Sequence, residues 1–245
     1  ISLPALDKSL YKEAHLSELF NEEHFIDIRD RNEFKSAIRN SNADIAFHLA
    51  AQPLVRESYK TPIETYETNV IGTLNFLDGI RESDVKAAVV ITTDKVYKNK
   101  SQMKGYLETD ELGGEDPYSS SKAAADLATQ SWRRSFAKSP LAIARAGNVI
   151  GGGDYSKDRI VTDLVHSLEN NIETILRNPN AIRPWQHVLD CLSGYQKLIE
   201  KLLSVGVDGE WNFGPEAENF HTVSELVVTF QQRWGSQFSY EVEDS

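Results

Sequence analysis

The stretch "AAVVITTD", Ala87–Asp94, is apolar and β-branched through Ile91, then turns polar over its last three residues. An apolar run of that length without alternation reads as a strand buried on both faces. "DIAFHLAA" (Asp44–Ala51) and "LAIARAGNVIG" (Leu141–Gly151) read the same way. Between them lie helical patterns over Thr61–Glu82 and Tyr118–Ala137. In the second, Ala124, Leu127, Ala128 and Ser131 recur at helical spacing and predict close packing. Strands alternating with helices predict parallel βαβ units, so the expected fold is α/β with a doubly wound parallel sheet. Ligands of such sheets bind at the carboxyl ends of the strands. The polar tails "HLAAQ", "TTDK" and "AGNVIGGGD" all fall at such ends.

Composition narrows the class. The chain has 245 residues, 40% hydrophobic and 26% charged, as in an ordinary globular protein with a substantial core. Its net charge of -11 speaks against a nucleic acid or an anionic membrane as partner. The single cysteine, Cys191, excludes a disulfide framework and a cysteine metal cluster. No metal is expected, and a reducing cytoplasm is the simplest compartment. No apolar run approaches the roughly 18 residues of a membrane span.

"DPYSSSKAAAD" (Asp116–Asp126) sets Tyr118 four residues before Lys122 at an apparent helix start. One turn is about 3.6 residues, so both lie on one face. A lysine charge beside a phenol favours the phenolate, which would make Tyr118 a usable base near neutral pH. An ordinary helix start is the plainer reading of the pair taken alone.

Beyond Gly153 the texture changes. "RNPNAIRPWQHV" reads as an irregular segment, "GEWNFGP" (Gly209–Pro215) as one more short strand, and "TVSELVVTFQQRWG" (Thr222–Gly235) as an amphipathic helix. In that helix Thr222 and Glu225 form a capping box.

Taken together, "FHLAAQPLVRES", "TNVIGTLNFLD", "VVITTDKVY", "DPYSSSK" and "RAGNVIGGGD" resemble the extended short-chain dehydrogenase/reductase family in order and spacing. "HLAAQPLVR", "TTDK", "RNPNAIRPWQHVLD" and "WNFGP" are similar to its CDP-glucose 4,6-dehydratase branch. The resemblance implies a Rossmann-like domain over residues 1–150 and a smaller, mainly nucleotide-sugar-binding region over 151–245. The strand near 209–215 is expected to return to the sheet. It implies NAD as cofactor, a nucleotide sugar (CDP-glucose) as substrate, and a homodimer. Tyr118 and Lys122 match the family's catalytic pair. Thr93 matches the residue that hydrogen-bonds the sugar hydroxyl, and Asp94 and Lys95 match an acid and a base for water loss. Asp27, Ile28, Leu49, Ala50, Ala51 and Thr92 match positions lining the cofactor, with Tyr118 and Lys122. Asn148 matches a substrate position, and Arg159, Arg177, Arg183 and His187 are the expected diphosphate and nucleotide contacts.

One feature of the resemblance is missing. The family's glycine-rich turn cradles a dinucleotide pyrophosphate, yet the first glycine here is Gly72. The chain therefore reads as an internal part of a longer protein, lacking that strand and turn. Two alternatives remain from sequence: a nucleotide-sugar 4-epimerase, which needs the Tyr–Lys pair but no acid/base pair, and a catalytically silent scaffold.

Overall fold

The computed structural model describes residues 8–100, 102, 104–216, 220–234 and 240–242. The core is a four-stranded parallel sheet of β1 (Ile45–His48), β2 (Ala87–Thr93), β3 (Leu141–Ala146) and β8 (Gly209–Phe213), in that spatial order. Alternate residues of β2 serve opposite faces. Ala87 and Val89 pack with Ala142 and Ala144 of β3 against Cys191, Tyr195, Leu198, Ile199 and Leu202 of α8 (Val188–Val205). Ala88 and Val90 pack against Phe76, Leu77 and Ile80 of α5 (Gly72–Arg81), with Phe34 and Ile38 of α2 (Arg31–Asn40) behind them. Helices on both faces explain the unbroken apolar run in β2.

Before α2 lies a short helix, α1 (Leu10–Glu13). The expected helix over 61–82 is present in three pieces. α3 (Val55–Lys60) leads into α4 (Pro62–Tyr66), a π-helical turn (Glu67–Ile71) and then α5. The widened turn lets Asn69 face inward. Its Oδ1 accepts from Gln52 N at 2.8 Å, and its Nδ2 donates to Gln52 O at 3.1 Å and to Ser121 Oγ at 2.9 Å. A π turn of this kind often marks a functional region.

The second long helix, α6 (Pro117–Phe136), starts with Asp116 as its cap, accepting from Ser119 N at 2.9 Å, and Pro117 in its first turn. Just upstream, Gly114 has φ +144, and a Cβ there would lie 2.4 Å from Ser120 N. The rest of the chain adds β4 (Val149–Ile150), α7 (Ile160–Asn170), β5 (Thr174–Leu176), β6 (Ile182–Arg183), β7 (Gln186–His187), β9 (His221–Thr222), α9 (Val223–Trp234) and β10 (Tyr240–Val242). These strands pair in twos: β5 with β10, β4 with β7, β6 with β9. The segment 177–188, expected to be irregular, thus contains two two-residue strands. The capping box of α9 is formed in both directions, Glu225 N to Thr222 Oγ1 at 3.1 Å and Thr222 N to Glu225 Oε2 at 2.7 Å. Gly235, at the end of that expected helix, lies outside the described residues. No helix of the described residues is long and apolar enough to cross a membrane.

Two expectations follow from the fold. Gly114→Ala should destabilise the protein by about 1–3 kcal/mol, since backbone rather than a flexible side chain must move; thermal unfolding measures it, and an unchanged Tm would mean that the turn relaxes freely. The second concerns His48, which is buried and stacked on Phe76, with Thr73 Oγ1 at 3.1 Å from Nε2. Burial, helped by the nearby Lys122 charge, holds its pKa down at about 3. The unfolded chain therefore takes up a proton near pH 6.5 that the folded one refuses. The stability His48 contributes is complete above that pH and drains away toward pH 3. In His48→Gln, the urea midpoint should fall less steeply than in the wild type between pH 7 and 4. Parallel slopes would assign the acid sensitivity to other groups.

Candidate active site

Strands β1, β2 and β3 end side by side, and their carboxyl ends deliver His48, Thr92–Asp94 and Arg145 toward the first turns of α6. Thr93 caps the short helical turn Asp94–Val96, its Oγ1 accepting from Lys95 N at 3.3 Å and donating to Asp94 Oδ1 at 3.0 Å. Burial pushes the Asp94 carboxyl pKa up, opposed by the Thr93 hydroxyl and by the charges of Lys95 and Arg183. A carboxyl raised in this way can carry a proton and give it up. The Lys95 side chain, by contrast, is exposed.

Tyr118 sits in the first turn of α6, its backbone N–H held by Ser58 Oγ at 3.1 Å. The sequence expectation was that Lys122 would lower the phenol pKa. In the structure burial dominates and raises it; the nearby Thr93 hydroxyl lowers it, and Asp94 raises it further. Lys122 is on the same helix one turn on, but its ammonium is directed at the sheet, donating to Ile91 O at 2.9 Å. Burial pulls its pKa down to about 8, opposed by Asp126.

Thr93, Asp94 and Tyr118 are therefore in mutual contact or close electrostatic range, with Arg159 and Arg183 acting on the same cluster. Gly147 borders it: a Cβ there would lie 3.0 Å from Pro184 and 3.4 Å from Asp94 Oδ2. Asn148 ties the 186 segment through its carbonyl, which accepts from Gln186 N at 2.9 Å. Other expected residues are engaged elsewhere. Arg177 pairs with Asp158 at 3.2 Å, the carboxylate that also holds Arg56 at 3.0 Å. His187 caps α8, its Nδ1 accepting from Leu189 N at 3.2 Å. Asp27 is exposed and held by Arg29, 2.6 Å between Nη2 and Oδ2, which keeps its carboxyl below the usual range. Ile28 is buried beneath α5, where its side chain fills the space that a Cβ on Gly72 would need. Leu49 and Ala50 are exposed and Ala51 half-buried beyond the end of β1.

Several residues that organise this site carry no role in the sequence analysis. Asn69 joins the loop after β1 to α6. Asp126 and Arg145 form a buried bidentate pair, Nε–Oδ2 and Nη2–Oδ1 both 2.8 Å. The signal for Asn69 was a polar residue in a helix interior, a position such side chains avoid unless bonded. Nothing in the spacing of Asp126 and Arg145 links them, because their contact is made by the sheet packing on α6.

Residues 4–214 match the NAD dependent epimerase/dehydratase family. The chain is 45% identical over 243 residues to the CDP-glucose 4,6-dehydratase of Salmonella typhimurium, covering 95% of this chain and 67% of the relative. It is 27% identical to the dTDP-glucose 4,6-dehydratase of Neisseria gonorrhoeae, covering 83% of this chain and 60% of that one. With the human dTDP-D-glucose 4,6-dehydratase it shares 28%, spanning 53% of that protein's length. Among solved structures, the UDP-glucuronic acid 4-epimerase of Bacillus cereus superposes with a TM-score of 0.83 at 18% identity, over 98% of this chain and 76% of that one. That likeness establishes a shared Rossmann-like fold. The parallel sheet, the Tyr118–Lys122 helix and the match over residues 4–214 agree, and the chain belongs to the NAD dependent epimerase/dehydratase family.

Proposed function

We propose that the protein is an NAD-dependent hydro-lyase that converts CDP-glucose to its 4-keto-6-deoxy derivative and water. The observation that carries this reading is the carboxyl of Asp94, half-buried at the end of β2, bonded by the Thr93 hydroxyl at 3.0 Å and raised in pKa close to Tyr118. A 4-epimerase has no need of such an acid. The 45% identity to a CDP-glucose 4,6-dehydratase supports both the substrate and cytidine as its base, in line with the likeness of "RNPNAIRPWQHV" to that branch.

The residues present fit the nicotinamide end of NAD. Lys122 is buried, and among the described residues its only hydrogen bond is to Ile91 O, which leaves two ammonium hydrogens for a ligand. Thr92 and the backbone of Leu49–Ala51 stand at the same sheet end. A glycine cradle for the pyrophosphate is not among residues 1–71, which contain no glycine. The chemistry that NAD supplies when bound is reversible hydride acceptance, so the net reaction is redox-neutral.

The protein's own groups handle protons. Tyr118 takes the proton of the sugar 4-hydroxyl, which Thr93 orients. Lys122 holds the cofactor ribose and supplies positive charge to the site. Once C4 is a ketone, the C5 proton is acidic; Lys95, as the neutral amine, takes it while Asp94 protonates the departing 6-hydroxyl, and the C5–C6 alkene left by the loss of water is completed by hydride at C6 and by the proton returned to C5. Arg159, Arg177, Arg183 and His187 hold the nucleotide diphosphate with Asn148. Asp27 and Ile28 line the far end of the cofactor site. Residues 1–150 form the cofactor-binding part and 151–245 the substrate part. Exposed Tyr59, Ile63, Tyr66 and Leu127 on α3, α4 and α6 support a homodimer through these helices. The product suits deoxysugar and lipopolysaccharide synthesis in the cytoplasm.

The intact enzyme should turn over CDP-glucose with loss of water, and faster than the UDP and dTDP glucoses; equal rates on all three would refute the cytidine preference, and interconversion of epimers without water loss would replace the reading with a 4-epimerase. Tyr118→Phe should lower kcat by about 10²–10⁴, the usual range for loss of a general base. Lys95→Ala should oxidise C4 and then stall, seen as accumulating NADH absorbance and no exchange of the C5 proton with deuterated solvent. A raised KM with unchanged kcat would make Lys95 a binding residue only.

A further inference from the structure

The acid and base proposed for water loss sit on an element too short to hold itself. Asp94 and Lys95 occupy a three-residue 3₁₀ helix, Asp94–Val96, a form with poor hydrogen-bond geometry. Its aim is set by its two flanks. Upstream, β2 and the Thr93 hydroxyl fix it. Downstream, Val96 is fully buried and packs with Tyr97 against Ala123 of α6. There the backbone is tied to the segment 111–113. Val96 O accepts from Gly113 N at 2.7 Å, Lys98 N donates to Glu111 O at 2.9 Å, and Tyr97 bridges Leu112. The Tyr97 side chain carries the tie further. Its ring stacks on Tyr106 with centroids 5.0 Å apart. Its hydroxyl donates to Asn212 Oδ1 of β8 at 2.6 Å and accepts from Arg145 Nη1 of β3 at 2.9 Å. Asn212 also holds the segment that stacks on Tyr97, its Nδ2 donating to Tyr106 O at 2.9 Å and its N–H to Glu108 Oε1 at 2.8 Å.

We propose that Tyr97, through the hydroxyl shared by Asn212 and Arg145, is a positioning residue that aims the Asp94–Lys95 turn for the loss of water. Tyr97 follows the turn directly, so a shift of its ring is passed along the backbone to Val96 and Lys95. Reacting groups tolerate little misplacement, and about 1 Å can cost 10²-fold in rate. Tyr118 and Lys122 have separate support. They stand on a 20-residue helix whose start is capped by Asp116 and held by Ser58, a support that does not pass through the Tyr97 hydroxyl. The two halves of the reaction therefore lean on different parts of the fold: C4 oxidation on α6, and water loss on a turn braced from β8. The role of Tyr97 in the reaction rests on those proposed for Asp94 and Lys95.

The test follows both steps in the intact enzyme with CDP-glucose. Tyr97→Phe keeps the ring packed and removes its hydroxyl, while Arg145 Nη1 retains Glu108 O at 3.0 Å. C4 oxidation, read as the rate at which NADH absorbance rises on mixing, should match the wild type. Water loss should slow by about 10- to 10²-fold, so that NADH accumulates and exchange of the C5 proton with deuterated solvent falls. Asn212→Ala, at an exposed residue, cuts the same bond from its other end and should give the same split, even if Tyr97→Phe folds poorly. Both steps slowed alike, or neither slowed, overturns the proposal and makes Tyr97 a packing residue. Lys95→Ala is measured beside them. If it stalls and Tyr97→Phe does not, the positioning role falls and the reading of Lys95 stands. If Tyr97→Phe stalls and Lys95→Ala does not, the positioning role stands through Asp94 and Lys95 loses its part. A wild type that removes no water overturns both.

Discussion

A guanidinium and a carboxylate sealed inside the protein hold the centre of this structure. Arg145 and Asp126 have side-chain exposures of 1% and 0%, so their charges can be tolerated only with every donor and acceptor matched. The matching draws in Thr92 from β2, Gln130 from α6, and Tyr97 with Glu108 from the segment between them. Tyr97 in turn donates to Asn212 of β8 at 2.6 Å, and Asn212 binds the 106–108 backbone and side chain. Three of the four strands and helix α6 thus meet on one charge pair. A single truncation there leaves a buried charge alone, a loss of about 3–5 kcal/mol in comparable cases.

A second polar tie works at the opposite edge. The π turn turns Asn69 inward, and its amide joins the Gln52 loop to Ser121 of α6. Gln52 also donates to Thr65 Oγ1 at 2.9 Å, so that the loop after β1 is fastened to two helices. Charge pairs on α2 and α5 brace the same layer: Asp78 binds Arg31, Lys35 and Arg81, and despite burial its carboxyl stays well below the usual range.

Much of this was legible in sequence, and for physical reasons. β2 and β3 are buried on both faces, so their composition announces them. The α6 start is written in Asp116, Pro117 and the spacing of Tyr118 and Lys122. The Thr222–Glu225 box is a local motif and was readable as such. What was not legible depends on contacts between distant segments. The π turn has no periodic signature, the two-residue strands β6 and β7 are shorter than any pattern, and the Asp126–Arg145 pair exists only because β3 lies beneath α6. The ionisation of Tyr118 was misjudged for a related reason: helix spacing places Lys122 on its face, but burial and the direction of the ammonium decide its effect.

The order in which the strands are joined has a consequence for how the site comes into being. Ile45 pairs with Ala87, Ala88 with Leu141, and Ala142 with Gly209, so each successive pairing closes a longer stretch of chain. Parallel pairings over such separations are slow to form, since loop closure precedes any reward from contact. β8 closes the longest, and it carries Asn212, the partner of Tyr97. A nascent chain folding from its N-terminus would hold Thr93, Asp94 and Tyr118 near one another while Tyr97 still awaited its final partner. Maturation of the site is thereby coupled to the last strand to dock, and a chain stalled before that step would be compact yet leave the support of its buried arginine unfinished.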